Sequence, residues 1–259
     1  MPDIATPRVE IIGVTDFQKP AGVPWDQGDA VGGAAAAEFA GRACYQSWNK
    51  PNPATATVDG YIRHILEVGH LSVLEHGTAT LYLTGVSRSF THEAIRHRHL
   101  SPSQLSQRYV PEREAAVVVP DVIADDPELA DIFDDAAQYA LDAYNTLLDR
   151  LTTKYGTNST AAKKLARQAS RAVLPNAVET RIVLTGNYRA WRHFINLRAT
   201  PAADREIREV AVAVLRALQA CPGSAPVFAD YELVTYHDHP DAPVTTIAVS
   251  DLADGDTDR

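Results

Sequence analysis

Cysteine is scarce. Cys44 and Cys221 are the only two in 259 residues, and neither has a C-x-x-C partner. That argues against a disulfide framework and leads us to expect a reducing, cytoplasmic setting. Positive charge is in deficit as well, with 24 Lys and Arg against 33 Asp and Glu, a net of −9. Broad binding to nucleic acid is therefore not expected, and any polyanion has to be met by a local patch. No apolar run approaches the length of a bilayer span, so no membrane partner is expected. Met1-Pro2-Asp3 opens no basic segment followed by an apolar one, so no secretory signal is expected. There is no G-x-G-x-x-G and no Walker A sequence, which sets aside the two commonest phosphate-binding loops. His92-Glu93 begins like the zinc motif H-E-x-x-H, but Arg96 stands where the second His belongs. His64, His70 and His76 have no matching carboxylate or Cys spacing, so no metal site is expected.

What remains is a chain able to bury a substantial core, 45% apolar and 22% charged. Arg8–Thr15 reads as an Ile/Val-rich strand, and Lys19–Asp29 as a Pro/Gly loop. Val31–Tyr45 reads as a helix, and Val58–Val68 as another, ended by Gly69. Gly77–Thr84 alternates like a strand. Ser87 or Ser89 is expected to cap a helix running through His99. Pro127–Tyr155 is a long amphipathic helix whose acids cluster at its start, and its apolar stripe fits core or a subunit interface. Ser159 caps a helix that stops before Pro175. Thr180–Thr185 is a strand, a helix follows to Arg198, and Pro201 is expected at N1 of the last long helix with Thr200 as its cap. Strands scattered among helices, without repeats or a linker, predict one α+β domain over residues 1–236. Residues 237–259 form an acidic tail whose end is expected to be mobile.

One stretch runs against the acidic composition. Ser87–Val110 holds Arg88, Arg96, Arg98 and Arg108 with His92, His97 and His99, and Glu93 is its only acid. Arginine presents a planar fork of donors that suits phosphate and carboxylate, so a bound anion is expected, against the plainer reading of a solvated basic face. Arg96-His97-Arg98 is followed, after seven residues, by Ser106. This R-H-R-x7-S order, with Ser103-Gln104-Leu105-Ser106-Gln107-Arg108-Tyr109, resembles the signature of the flavin-dependent thymidylate synthases (the ThyX family). Three flanking stretches resemble it too: His70-Leu71-Ser72-Val73-Leu74-Glu75-His76, Ala169 to Pro175, and Asn187 to Arg198. The resemblance spans about Val9 to Tyr231.

The resemblance implies a central antiparallel sheet flanked by helices, assembled as a homotetramer with active sites shared between subunits. It implies reductive methylation of dUMP to dTMP, with methylenetetrahydrofolate giving the carbon and FAD, reduced by NADPH, giving a hydride. Its flavin contacts fall on Ser72, Arg96, His97, Arg98, Gln104, Asn187, Arg189 and His193. Its nucleotide contacts fall on Glu93, Arg96, Gln104, Leu105, Ser106, Gln107, Arg108, Arg171 and Arg198. Arg198 takes the catalytic place, a fixed cation that stabilises an anionic pyrimidine ring. Ser106 has no recognisable general base and reads as a phosphate donor. Taken without the family, Ser72 reads as a helix cap with Glu75 three residues on, and Arg171 as a cation at a helix C-terminus. One position departs from the family: many relatives have a His four residues after the Arg at the Arg198 position, and here it is Ala202, which predicts weaker FAD retention. The competing expectations are a nucleotide- or RNA-binding protein, for which only Phe90 and Tyr109 offer stacking surfaces, and a ThyX-fold nucleotide-binding protein with a weak flavin site.

Overall fold

A computed structural model describes residues 3–50, 52–235 and 245–248. In chain order the elements are β1 (Arg8–Val14), α1 (Gly32–Tyr45), α2 (Val58–Glu67), β2 (Thr78–Ser87), α3 (Arg88–Ala94), β3 (Ser101–Gln104), α4 (Asp121–Ala124), α5 (Pro127–Tyr155), α6 (Thr160–Ser170), β4 (Glu179–Asn187), α7 (Tyr188–Arg198), α8 (Arg205–Ala220), α9 (Ala225–Phe228), β5 (Tyr231–Val234) and β6 (Thr245–Ala248). Four strands form an antiparallel sheet in the order β1-β2-β4-β3, an α+β arrangement. β5 pairs antiparallel with β6, Tyr231 opposite Ala248. The rest of the acidic tail, where mobility was expected, lies outside the described residues.

Several boundaries follow from local chemistry. α2 ends in a Schellman motif: Gly69 has φ +70°, its N–H donates to Leu66 C=O, and His70 N–H donates to Ile65 C=O. α5 starts at Pro127 because Asp126 accepts from the N–H groups of Glu128 and Leu129, a cap worth about 1 kcal/mol. Ser159 caps α6 through Ala162 N–H, and Ser87, not Ser89, caps α3 through Phe90 N–H.

Three expectations need correction, and one strand was not foreseen. α3 stops at Ala94 instead of running through His99. The following turn closes by Leu100 N–H to His97 C=O, burying Leu100 and His97 while Arg96 and Arg98 stay outside. A continuous helix would keep Leu100 N–H for Arg96. Ser72 is not a cap: it lies inside a 3₁₀ turn, Leu71–His76, that has no side-chain cap. The last long helix starts at Arg205, not Pro201. Asp204 accepts from Glu206 N–H, while Thr200–Ala203 closes a separate turn. Finally, Ser101–Gln104 is a strand although its residues are polar or Pro, without the alternation that marks a strand.

Contacts gather the chain into two compact units. The first comprises residues 1–8, 83–94 and 103–182. In it, Tyr144, Leu148 and Ala166 form a buried cluster between α5 and α6, with Leu141, Leu151 and Leu174 against it. Tyr144 is fully buried and its hydroxyl accepts from Glu112 N–H at 2.9 Å. The rest of α5 is not core: Ile132 is 66% and Tyr139 78% exposed, with Leu129 and Leu147 also exposed. The second unit comprises residues 9–82, 95–102 and 183–259. Its core joins Ile62 and Ile65 of α2, Leu81 of β2, Tyr188, Trp191, Phe194 and Ile195 of α7, and Val214, Leu215 and Leu218 of α8, all buried. Gly33 and Gly77 allow the close approach of the Tyr188 ring, since a Cβ at either would fall 2.4 Å from its Cε2.

Candidate functional site

α7 organises the candidate site residues of the second unit. Asn187 caps it, accepting from Ala190 N–H at 2.8 Å. Tyr188, Trp191, Phe194 and Ile195 then recur at helical spacing and are buried, and the Trp191 indole donates to Ala79 C=O. That leaves Arg189, His193 and Leu197 exposed and Arg198 half-buried at the helix end. Against this end sits the turn Ile95–Leu100. Gly186 makes room for it, because a Cβ there would lie 2.5 Å from Leu100 Cδ2.

His97 is the buried member of that turn, 8% exposed. Its Nε2 accepts from Arg198 Nε at 2.9 Å. A nitrogen that accepts must be unprotonated, so the ring carries its proton on Nδ1. The imidazole meets Phe194 edge-on, with centroids 4.9 Å apart, and His193 at 6.0 Å. Burial first, then the charges of Arg198 and His193, push the His97 pKa down to about 4. The ring is neutral at pH 7. Arg96, His97, Arg98, His99, His193, Leu197 and Arg198 line one open cavity of about 440 Å³, and none of these residues is acidic. The arrangement can receive an anion, since three of its lining side chains are guanidinium groups.

Four other residues expected at the flavin are placed differently, and one of them, Gln104, belongs to the first unit. Ser72 and Asn187 do not line this cavity, and neither does Arg189, which pairs with Glu75 at 2.7 Å. Both partners of that pair are about half exposed, so it contributes at most about 1 kcal/mol. His99 and Leu197 complete the lining and were not singled out for the site from the sequence. Their adjacency to Arg98 and Arg198 was the available signal. Among the described residues no group of three or more His, Cys, Asp or Glu could hold a metal, and no helix is long and apolar enough to cross a membrane.

The first unit carries the remaining candidates: Glu93, Gln104, Leu105, Ser106, Gln107, Arg108 and Arg171. Gln104 Nε2 donates to Thr91 Oγ1 at 2.9 Å, and that hydroxyl donates to Arg88 C=O. Arg88 Nη2 donates to Leu105 C=O, while Leu105 N–H donates to Arg181 C=O. Ser106 C=O accepts from both Tyr109 and Val110 N–H, closing a turn with Gln107 buried and Arg108 exposed. Arg167 of α6 donates to Tyr109 C=O, and Lys164 to the Tyr109 hydroxyl. Arg171 follows at the exposed end of α6, and Glu93 is half-buried on α3. Thr91 and Arg88 thus support the segment Gln104–Leu105. Arg88 lay within the basic stretch without an assigned role, and Thr91 gave no sequence signal.

An α+β fold with two sets of cationic side chains defines a protein suited to anionic ligands. Residues 29–222 match the family described as thymidylate synthase complementing protein, and the chain belongs to that family. It is 57% identical over 255 residues to a flavin-dependent thymidylate synthase of Mycolicibacterium vanbaalenii, covering 98% of this chain and 99% of the relative. Enzymes of that name from Mycobacterium avium and Mycobacterium tuberculosis are 56% identical over the same length, with the same coverage.

Proposed function

We propose that the protein is a flavin-dependent thymidylate synthase that converts dUMP to dTMP, with methylenetetrahydrofolate as carbon donor and FAD, reduced by NADPH, as hydride source. Likeness over nearly the whole chain to enzymes of that name carries the reading. The cavity lined by Arg96, Arg98, His193 and Arg198 supports it, because a lining with three guanidiniums and no acid suits the phosphates of a flavin dinucleotide. When bound, the flavin supplies the hydride chemistry that no side chain can. Ser72, Gln104, Asn187 and Arg189 are the further flavin contacts in this reading. For Arg189 that requires exchanging an exposed ion pair with Glu75 for the cofactor, a modest cost for a pair so exposed.

The nucleotide falls to Glu93, Gln104, Leu105, Ser106, Gln107, Arg108 and Arg171, with Arg96 and Arg198 shared. Arg198 is the catalytic cation. It cannot act as a base, and it stabilises negative charge developing on the pyrimidine ring. Residues 1–236 form the catalytic domain, with 237–259 as an appended tail in the cytoplasmic enzyme. The exposed apolar residues of α5, Ile132 and Tyr139 above all, support assembly as a homotetramer with shared sites.

The test is a flavin absorbance spectrum of purified protein with and without added FAD, titrated with dUMP, followed by dTMP formation with all co-substrates present. Retained flavin whose band shifts with dUMP, and product formation, are expected. Protein that cannot be loaded with FAD yet binds dUMP would replace this reading with a nucleotide-binding relative.

A further inference from the structure

We propose that Thr91 is a positioning residue: its hydroxyl sorts the two ends of the Gln104 amide, so that Gln104 meets its ligand with Oε1 as a hydrogen-bond acceptor. The inference rests on the function proposed above, in which Gln104 contacts the nucleotide and the flavin.

An amide side chain carries donors at one end and an acceptor at the other, and the two ends have nearly the same shape. Which end meets a ligand is decided by what the other end meets. For Gln104 that partner is Thr91. Thr91 is fully buried on α3, and its hydroxyl donates to Arg88 C=O at 2.9 Å, three residues back. The hydroxyl has one proton and has spent it, so towards Gln104 it accepts. Gln104 Nε2 accordingly donates to it at 2.9 Å. With the amide turned end for end, the hydroxyl could donate to Oε1 only by abandoning Arg88 C=O, which leaves one bond unmade. Gln104 is half-buried, and its Oε1 has no hydrogen-bond partner among the described residues.

The frame around this contact is held. Arg88 N–H donates to Val178 C=O and Ser89 N–H to Asn176 C=O, which fixes the start of α3. Arg88 Nη2 donates to Leu105 C=O at 3.0 Å, and Leu105 N–H donates to Arg181 C=O at 2.9 Å, which fixes the backbone directly after Gln104. What stays variable is the Gln104 side chain, and Thr91 removes that freedom before a ligand arrives. An acceptor selects a ligand group that donates. A sugar hydroxyl, the pyrimidine N3–H and the imide N–H of a flavin share that chemistry. A ligand group that only accepts would set lone pair against lone pair and be rejected.

Thr91→Val keeps the shape of the side chain and removes its hydroxyl. In protein supplied with FAD it is expected to raise the Kd for dUMP roughly 3- to 10-fold, the loss for one side chain that has to be ordered on binding. Thr91→Ser should recover most of that loss. A role confined to stability would lower the urea midpoint of Thr91→Val and leave the affinity of the folded protein unchanged. Gln104→Glu gives the sharper test. A carboxylate has an oxygen at both ends and needs no sorting, so in that background Thr91→Val should change the Kd by less than about 2-fold. Two dUMP analogues, one without the sugar hydroxyl and one methylated at the pyrimidine N3, locate the donor: the Thr91→Val defect should vanish for the analogue that lacks it. A defect that persists for both should reappear in an FAD titration without nucleotide, which assigns the donor to the flavin.

Unchanged affinity in Thr91→Val, equal loss in the Val and Ser variants, or a full Thr91→Val effect in the Gln104→Glu background would overturn the assignment. So would a defect that persists for both analogues and is absent from FAD binding. Wild-type protein that binds dUMP without turnover rejects the proposed function alone, because dUMP affinity still decides the role of Thr91. Wild-type protein that binds neither dUMP nor FAD rejects both.

Discussion

Acidification should remove a block of stability that the single side chain His97 contributes. Its folded pKa is pushed from 6.5 to about 4 by burial and by the charges of Arg198 and His193. The unfolded chain, with an ordinary His, therefore binds more protons than the folded protein between those two values. Stability must rise with pH across that window, so the contribution is complete above about pH 6.5 and lost as pH falls towards about 4. That depression corresponds to about 3 kcal/mol at most. Glu112 works in the opposite direction. Burial raises its pKa, so the folded state holds that proton more tightly and gains relative stability on acidification. Comparison with His97→Gln cancels Glu112 and every other shared group. Urea unfolding of both proteins at one fixed concentration, from about pH 7 down to about pH 4.5, should show the wild type losing about 2–3 kcal/mol more than the variant. Parallel pH profiles, or a difference that grows towards high pH, would refute the idea that His97 is held neutral by its surroundings.

Tyr144→Phe leaves the buried Glu112 N–H without its acceptor and should cost about 1–3 kcal/mol, read from urea midpoints with an unchanged m-value. Gly33→Ala drives a Cβ to within 2.4 Å of the Tyr188 ring, which Gly77 also approaches closely. Destabilisation of at least about 1–3 kcal/mol is expected, and full stability would show that the ring can move. Ala202 is exposed in the turn Thr200–Ala203, so a larger side chain meets no core there. Ala202→His should therefore fold normally and tighten FAD binding in a fluorescence titration, and unchanged or weaker affinity would count against any role for that position.

Much of the local architecture was legible from residue order alone. The apolar period and the acids at its start bound α5 at Pro127–Tyr155, where the structure places it. Gly69 ended α2 and Ser159 opened α6 for the same kind of reason: a cap or a positive φ concerns atoms within about five residues of one another. The arginine-rich stretch and its spacing to Ser106 were equally visible, as was the family resemblance they carry. Tertiary structure decided the rest. The periodic pattern continued α3 to His99, but the chain breaks at Ala94 so that His97 and Leu100 can turn inward. Ser101–Gln104 becomes a strand because β4 offers it an edge, not because its own residues favour one. Most of the α5 stripe, periodic enough for a core, stays exposed because α6 covers only the part around Tyr144 and Leu148. The bond between His97 and Arg198 joins residues 101 apart in the chain. Helix periods and caps are set by neighbours a turn away. A side chain's burial, protonation and distant partner are set by which surfaces the folded chain brings against it.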